Sequence, residues 1–273
     1  TFVSAGHRAD VSGNDLLQYV ADDEDVLAVG MYLESLGNPR KFARVARRVS
    51  ARVPVVAVVG AAYGVAGPDG NALGRSVVEE AMLAAGVLVA PTMRAMVEAT
   101  QLLVHASLPR GSRVAVLSSS LSLADLAAAQ VQHLDPHPSV VAVTNGGADG
   151  QAMTEAAHRL AQDPDWDVLL VVYSPQLRHR DPQVMAALAA LAGTGRTVLA
   201  VVHGLLGVTA ELTGATGEVV VAYESIDDAV AALTLAATYA RWRRADHGGL
   251  VSPEGIDLRA ARAVTTRALE GNE

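Results

Sequence analysis

The sequence contains no cysteine, which excludes a disulfide framework and a thiolate metal site. Its 21 basic residues are one lysine, Lys41, and 20 arginines, so chemistry that needs a lysine amine has a single candidate. Codon bias explains this skew at least as well as function does. No apolar run reaches the ~20 residues that a membrane-spanning helix needs, and the N-terminal segment lacks the charged-then-apolar pattern of a leader. These absences predict a soluble, cytoplasmic protein without a membrane partner.

The charge and the length limit the remaining classes. A net charge of −8 argues against a nucleic-acid partner, because nucleic-acid binders present a basic face to the phosphates. The chain has 273 residues, of which 51% are hydrophobic and 18% charged. This is enough apolar material for two domains of ordinary size, each with its own core.

The chain contains two copies of one strand–helix–strand plan. Each copy has an apolar strand, an Asn-Pro or Asp-Pro pair that opens a helix, and a second apolar strand. In chain order these are 25–32, Asn38-Pro39 and 54–59, and then 167–173, Asp181-Pro182 and 197–202. The period is far longer than that of a solenoid repeat, so the pattern indicates a duplicated domain.

The apolar runs and the helical stripes predict the fold class. Continuous Val/Leu/Ala strands are typical of a parallel sheet that helices cover on both faces. Two helices show the i, i+3, i+4, i+7 stripe of a helix that lies on a sheet. The stripes are Phe42, Val45, Ala46 and Val49 in one helix, and Val78, Ala81, Met82 and Ala85 in the other. The sequence therefore predicts an α/β protein with two tandem, doubly wound parallel-sheet domains.

A short polar turn at Leu108–Arg113 is the predicted boundary between the two copies. The second copy begins with a strand at 113–118 and a helix before it reaches its equivalent of Phe2-Val3-Ser4, whereas the first copy begins at that later strand. We therefore expect the first domain to lack its opening strand and helix, and the chain to be a fragment of a longer polypeptide. The expected domains are 1–107 and 108–244, followed by an extension or linker at 245–273. An unpaired sheet edge recruits other chains, so a homo-oligomer is also expected.

Four segments carry a family resemblance: VSAGHRADVSGNDLLQY at 3–19, MYLES at 31–35 with RKF at 40–42, LPRGSRVAV at 108–116 and YARWR at 239–243. Together they resemble the ADP-forming acetate–CoA ligases, which are NDP-forming acyl-CoA synthetases related to the succinyl-CoA synthetase α subunit. The resemblance covers nearly the whole chain and implies the family's second and third domains, both flavodoxin-like. In the family, a CoA-binding Rossmann domain precedes them and an ATP-grasp portion follows. Some bacterial members are fused to a GNAT acetyltransferase domain, and this sequence is similar to those.

The resemblance also locates a reactive position. In the family, a phosphoryl group passes from an acyl phosphate to a histidine and then to ADP. That histidine lies in a Ser-His-Thr-Gly turn at a helix N-terminus, which stabilises the transferred anion. The matching stretch here is 67–74, GPDGNALG, which places Pro68, or Gly67 after a shift of one residue, at the histidine position. Neither residue can accept a phosphoryl group, so no catalytic residue is expected. Glu34 matches the family acid that supports the phosphohistidine.

The loop from Gly60 to Gly74 is the best candidate for an anion site, because backbone amides in glycine-rich loops can cradle phosphate. The predicted remnant of a phosphate loop consists of Gly67, Gly70, Asn71, Gly74 and Arg75. A plain connecting loop is the alternative reading. Neither the P-loop motif nor the Rossmann glycine spacing is present. A further departure lies at 118–121, where Ser-Ser-Ser-Leu replaces the family's glycine-rich Asn-Ala-Gly-Gly turn.

The resemblance implies an acid–thiol ligase family that uses CoA, ATP or ADP, and Mg²⁺. It also implies CoA-binding and ATP-grasp or acetyltransferase domains in the same polypeptide. For this chain we expect no bound cofactor or metal, and we interpret it as a non-catalytic scaffold or acyl-CoA-linked regulatory module. Two alternatives stay open. One is a working ligase in which another residue or another chain accepts the phosphoryl group, and the other is a simple ligand-binding or oligomerisation module.

Three further groups have two readings each. The arginines of the second helix form either a solvated face or a docking face for an anionic partner; they are Arg40, Arg44, Arg47, Arg48 and Arg52. His133 and His137 are four residues apart, but Asp135-Pro136 between them favours a loop over a metal site. His203 follows a strand of the second copy, where doubly wound folds place ligands, and a structural role is the alternative.

Overall fold

A computed structural model of the chain describes residues 1–4, 11–60, 75–134, 138–145, 150–175 and 180–248, together with 257, 260 and 264. Residues 1–243 form one compact unit, and residues 244–273 form a second. Within the described residues, no helix combines the length and the apolar character that crossing a bilayer requires. The fold described below is that of the first unit.

Helices and strands alternate along most of the chain. The helices are α1 (Gly13–Ala21), α2 (Pro39–Ser50), α3 (Arg75–Ala84), α4 (Met93–His105), α5 (Leu121–Gln132), α6 (Gly150–Gln162), α7 (Pro182–Ala190) and α8 (Ile226–Arg244). The strands are β1 (Val29–Leu33), β2 (Val55–Val59), β3 (Val87–Val89), β4 (Arg113–Ser118), β5 (Ser139–Asn145), β6 (Val168–Tyr173), β7 (Thr197–Val202) and β8 (Val221–Tyr223). Short 3-10 turns occur at Leu191–Thr194 and Ala210–Leu212.

The strands form two separate parallel sheets, as the sequence predicted. The first sheet has three strands in the order β1-β2-β3, and the second has five in the order β5-β4-β6-β7-β8. All named neighbours pair in parallel, because each crossover passes through a helix or a long loop. In the duplicated plan, β1, β2 and β3 correspond to β6, β7 and β8. Among the described residues, the first sheet therefore has no equivalent of β4 and β5.

The strand expected at Phe2-Val3-Ser4 is not formed. Residues 1–4 have no regular secondary structure, and Phe2 is 92% exposed. Among the described residues, the equivalent strand of the second sheet, β5, pairs only with β4. The strand prediction was therefore wrong. A strand needs a neighbour to bond its backbone groups, and no described residue of the first sheet supplies an equivalent of β4.

Local signals set the starts of the two crossover helices. Asn38 caps α2 by accepting a hydrogen bond from the Lys41 amide (3.1 Å), and Pro39 occupies the first turn. Asp181 caps α7 in the same way through the Gln183 amide (2.8 Å). The predicted stripe of α2 is buried throughout, but in α3 the predicted core residue Ala81 is exposed. The other three residues of that predicted stripe, Val78, Met82 and Ala85, are buried.

The two sheets and their helices stack in layers. Residues of α1, α2 and α3 cover one face of the first sheet, and residues of α6 and α7 cover one face of the second. The inner faces of both sheets share a single buried cluster that includes residues of α4, α5 and α8. The carboxyl ends of the strands in each sheet form one edge, where parallel α/β folds carry their ligand sites. The domain limits 1–107, 108–244 and 245–273 remain predictions.

Candidate functional site

The carboxyl edge of the first sheet brings Glu34 and Gly60 together. β1 and β2 pair in register up to Leu33 and Val59, and the Gly60 amide donates to the Leu33 carbonyl (2.8 Å). A Cβ placed on Gly60 would lie 3.7 Å from the Glu34 Cα and 3.2 Å from the Tyr32 hydroxyl oxygen. The candidate loop therefore leaves the sheet beside Glu34 and beneath the end of the Tyr32 side chain. Sequence reasoning did not single out Tyr32, because nothing local indicates that its hydroxyl reaches β2.

Both side chains at this edge are open to solvent. Glu34 is exposed and Tyr32 is 53% exposed. Helix α2 begins close by in the chain, after a turn in which Gly37 has a φ of 63° and its amide donates to Ser35 Oγ (3.1 Å). No described lysine or arginine forms an ion pair with Glu34. A phosphate approaching the described part of this edge would meet a carboxylate before a cation.

Most of the predicted phosphate-loop remnant lies outside the described residues. This applies to Gly67, Pro68, Gly70, Asn71 and Gly74. Arg75 is the first residue of α3. The described residues thus fix where the loop starts, at Gly60, and where the following helix begins. The role predicted for the loop stays a prediction.

Serines form hydrogen bonds at the carboxyl edge of the second sheet, between β4 and β6. The strand order changes direction between β4 and β6, which is where doubly wound sheets open a crevice. Here the Ser174 amide donates to Ser119 Oγ (3.0 Å), and the Ser120 amide donates to Ser118 Oγ (3.1 Å). Ser118 and Ser119 are both buried. These hydroxyls therefore occupy the amides that a glycine-rich turn would leave free for a ligand.

His203 lies at the end of β7 and is exposed. Its backbone carbonyl accepts a hydrogen bond from Arg180 Nη1 (3.2 Å), and Arg180 also forms a two-pronged ion pair with Glu211 (2.7 and 3.0 Å). The bonds to Glu211 raise the pKa of the Arg180 guanidinium. Beside this ion pair is a cleft of about 560 Å³ between α7 and residues 210–215. Because Glu211 neutralises Arg180, the described lining of the cleft offers no free positive charge for an anion.

Three of the five arginines in α2 and just after its end bind the neighbouring helices. Arg47 Nη2 donates to the Ala84 carbonyl at the end of α3 (3.1 Å), and Arg52 Nη2 donates to the Val20 carbonyl near the end of α1 (2.6 Å). Arg48 pairs with Asp22. Cations at helix C-termini are favourable because they offset the unpaired carbonyls. Arg47, Arg48 and Arg52 thus hold the helix layer together, while Arg40 and Arg44 are exposed without a described ion pair.

The histidine pair gives no metal centre among the described residues. His133 caps the C-terminus of α5 and is exposed, whereas residues 135–137 lie outside the described part of the chain. Elsewhere in the described ranges, no three His, Asp or Glu side chains are grouped closely enough to hold a metal ion.

Comparison with known proteins decides the family. The family model for the succinyl-CoA ligase-like flavodoxin domain matches residues 1–103, which include Glu34, Gly60 and the whole first sheet. This part of the chain is similar to that domain. The acetate–CoA ligase [ADP-forming] II subunit alpha of Pyrococcus furiosus is 29% identical over 198 residues, which are 63% of this chain and 43% of that subunit. The predicted family resemblance is confirmed, and this chain spans less than half of the curated relative.

Solved structures agree on the fold of this chain. A crystal structure of a Pyrococcus horikoshii OT3 protein matches with a TM-score of 0.69 at 22% identity, covering 89% of this chain and 59% of that one. The dinucleotide forming acetyl-coenzyme A synthetase 1 of Ca. Korarchaeum cryptofilum, in complex with phosphate and ADP, matches with a TM-score of 0.68 at 21% identity. It covers 88% of this chain and 59% of the synthetase. These matches confirm the predicted arrangement of two parallel-sheet domains.

Proposed function

We propose that this chain is the non-catalytic core of an acyl-CoA synthetase-like protein, acting as a scaffold or acyl-CoA-linked regulatory module. The observation that carries the proposal is Pro68 at the position that the family resemblance assigns to the phosphohistidine. Proline has no nucleophilic side chain, and its ring nitrogen lacks the amide hydrogen that could bind an anion. Asp69 adds a negative charge to the same stretch. The relatives are named as ADP-forming acetate–CoA ligases or their alpha subunits, and this chain covers only part of each. Flanking domains of this chain, including an acetyltransferase domain, are therefore also part of the proposal.

The decisive experiment is phosphorylation of the intact chain. ATP, or separately acetyl phosphate, is supplied with Mg²⁺, and phosphate on residues 60–75 is located by mass spectrometry after acid and after base treatment. We expect no acid-labile, base-stable phosphate in this segment. Its appearance would overturn the proposal. A base-labile phosphate that is lost in Asp69→Asn would instead identify an acyl phosphate on that aspartate.

Ligand binding gives a second readout that does not depend on turnover. Calorimetric titration with ATP, ADP and CoA is expected to give dissociation constants weaker than ~1 mM, which corresponds to about −4 kcal/mol. The dipole of α3 contributes only about 0.3–1 kcal/mol to anion binding, and repulsion from Asp69 is of similar size. Micromolar binding that disappears in Gly74→Pro would contradict this expectation, because it would show that the loop is still a site.

A second candidate is a working ligase in which another residue or chain accepts the phosphoryl group. The position of Glu34 beside the start of the loop favours it, since this acid matches the family residue that supports the phosphohistidine. The name of the P. furiosus relative, subunit alpha, describes a protein that works with other subunits. Acyl-CoA-dependent ATP formation by the full-length protein, lost in Glu34→Gln, would support this candidate over the first.

We also propose that the chain self-associates through the first sheet. Among the described residues, β1 pairs only with β2, so its other edge offers unpaired backbone groups.

A further inference from the structure

The helix layer between the two sheets belongs to both of them. One buried cluster contains Val56 and Leu88 of the first sheet together with Val116 and Leu170 of the second. Helices α4 and α8 contribute residues to the same cluster, and α4 contacts β1, β2 and β8. Separating the sheets would therefore expose apolar surface on both, which the hydrophobic effect opposes.

The start of α8 is tied to α4 through Arg94. Its Nε donates to Glu98 Oε1 (2.8 Å), and its Nη2 donates to Glu224 Oε2 (2.7 Å) and Asp228 Oδ2 (3.1 Å). The hydrogen bond to Glu224, followed by that to Glu98, raises the pKa of the Arg94 guanidinium. The Glu98 side chain is only 7% exposed, and a buried carboxylate is destabilising without such a partner. Arg94 thus anchors the first helix of this layer to the last.

The far end of α8 is anchored on the first sheet's helices by aromatic residues. The Tyr239 hydroxyl donates to the Ser50 carbonyl (2.8 Å), across 189 residues of sequence. Trp242 packs so closely on Gly86 that a Cβ there would lie 2.5 Å from Trp242 Cζ2 and 2.6 Å from the Ser50 Cβ. Tyr239 and Trp242 stack on each other with ring centroids 6.3 Å apart. This second anchor joins α8 to the end of α2 and the start of β3.

We propose that α8 is a strap that makes the two sheets open as one cooperative unit, held by Arg94 at its start and by Trp242 on Gly86 at its end. The chain crosses between the sheets at residues 106–112, but the strap crosses back and closes the shared core. The carboxyl edges of the two sheets therefore keep one fixed arrangement. A change that destabilises one sheet is expected to lower the stability of the other by the same amount.

Native-state hydrogen exchange of the full chain tests the cooperative unit without any mutation. Exchange at the slowest amides of β2 and β4 is followed at increasing, sub-denaturing urea concentrations. We expect the opening free energies of the two strands to agree and to fall with the same slope. Opening of β2 at a lower free energy with a shallower slope would overturn the proposal, since it would show that the first sheet opens alone.

Two pairs of variants test whether α8 provides the coupling. Trp242→Ala removes the apolar anchor, and we expect exchange in β2 to accelerate about tenfold or more beyond any acceleration in β4. Trp166→Ala removes the other tryptophan, which is buried in the outer core of the second sheet. This variant should accelerate hydrogen exchange in β2 and β4 equally. Equal acceleration in Trp242→Ala would overturn the role of α8.

The polar anchor provides a milder pair in case the tryptophan variants do not fold. Arg94→Met should make the amides of β2 exchange faster than those of β4, as Trp242→Ala does. Arg180→Met breaks an ion pair on the outer side of the second sheet and should leave the two strands matched. Matched exchange in both variants would show that the Arg94 cluster is not part of the strap.

Discussion

Gly86 is the position where the anchor of α8 can be tested by a single methyl group. Its φ of 80° lies in the left-handed region, where an L-residue is less stable by roughly 1–2 kcal/mol. The methyl of Gly86→Ala would also overlap the Trp242 ring and the Ser50 Cβ, and overpacking of this kind costs about 1–3 kcal/mol. Reduced freedom of the unfolded chain offsets about 0.4–1 kcal/mol. We therefore expect Gly86→Ala to lower the free energy of unfolding by about 1–5 kcal/mol.

Two other glycines separate the backbone effect from the contact. Gly217 has a φ of 94° with nothing within 4 Å of an added Cβ, so Gly217→Ala should show only the backbone penalty. Gly193 has neither a positive φ nor a neighbour within 4 Å, and Gly193→Ala should be neutral or stabilising by up to about 1 kcal/mol. Urea unfolding followed by circular dichroism measures the free energy of unfolding of all three variants. A Gly86→Ala variant no less stable than Gly217→Ala would refute the close packing of Trp242 on Gly86.

Two further predictions concern the ion pairs and the first sheet's edge. The Lys41 Nζ bond to Asp15 (2.7 Å), followed by bonds from Ser12, lowers the pKa of Asp15, so the stabilisation is present above the unfolded pKa of about 3.9 and is lost as the pH falls below it. Lys41→Met should thus have a lower Tm than the parent at pH 7, and this Tm difference should shrink below about pH 4. Arg44→Met is the control and should show neither effect. A Tm difference that stays constant down to pH 3 would contradict this prediction. For self-association through β1, sedimentation equilibrium should show a mass that rises with concentration and falls again in Tyr32→Pro. Val29 and Leu33 direct their backbone groups to β2, so the alternating Tyr32 amide is a donor on the unpaired edge. A strict monomer at high concentration would count against it.

Local sequence signals predicted the parts of the fold that depend on neighbouring residues. Asn38 and Asp181 were identified as helix starts because a capping side chain and a following proline act within one turn. The strand at Phe2-Val3-Ser4 was predicted on the same kind of pattern and was wrong, because strand formation depends on a partner elsewhere in the chain. The duplication correctly predicted two sheets, since each copy repeats enough crossovers to determine a parallel order.

Long-range contacts account for what the sequence did not reveal. The arginines in and just after α2 looked like a solvated or docking face, yet Arg47 and Arg52 donate to carbonyls 37 and 32 residues away. Glu98 is four residues from Arg94, but Glu224 is 130 residues away and no local pattern links it to them. The same limit applies at the candidate site, where the approach of Tyr32 to Gly60 appears only once β1 and β2 pair.

The strap also limits how genes of this family can exchange segments. A crossover in the turn at residues 106–112 would join a first sheet from one parent to an α8 from another. The incoming helix would then have to match the foreign residues at positions 50, 86 and 94. A crossover just after residue 243 keeps both anchors and their partners in a segment that comes from one parent. Viable chimeras between diverged homologues are thus expected to have junctions near residue 243 more often than near residue 108.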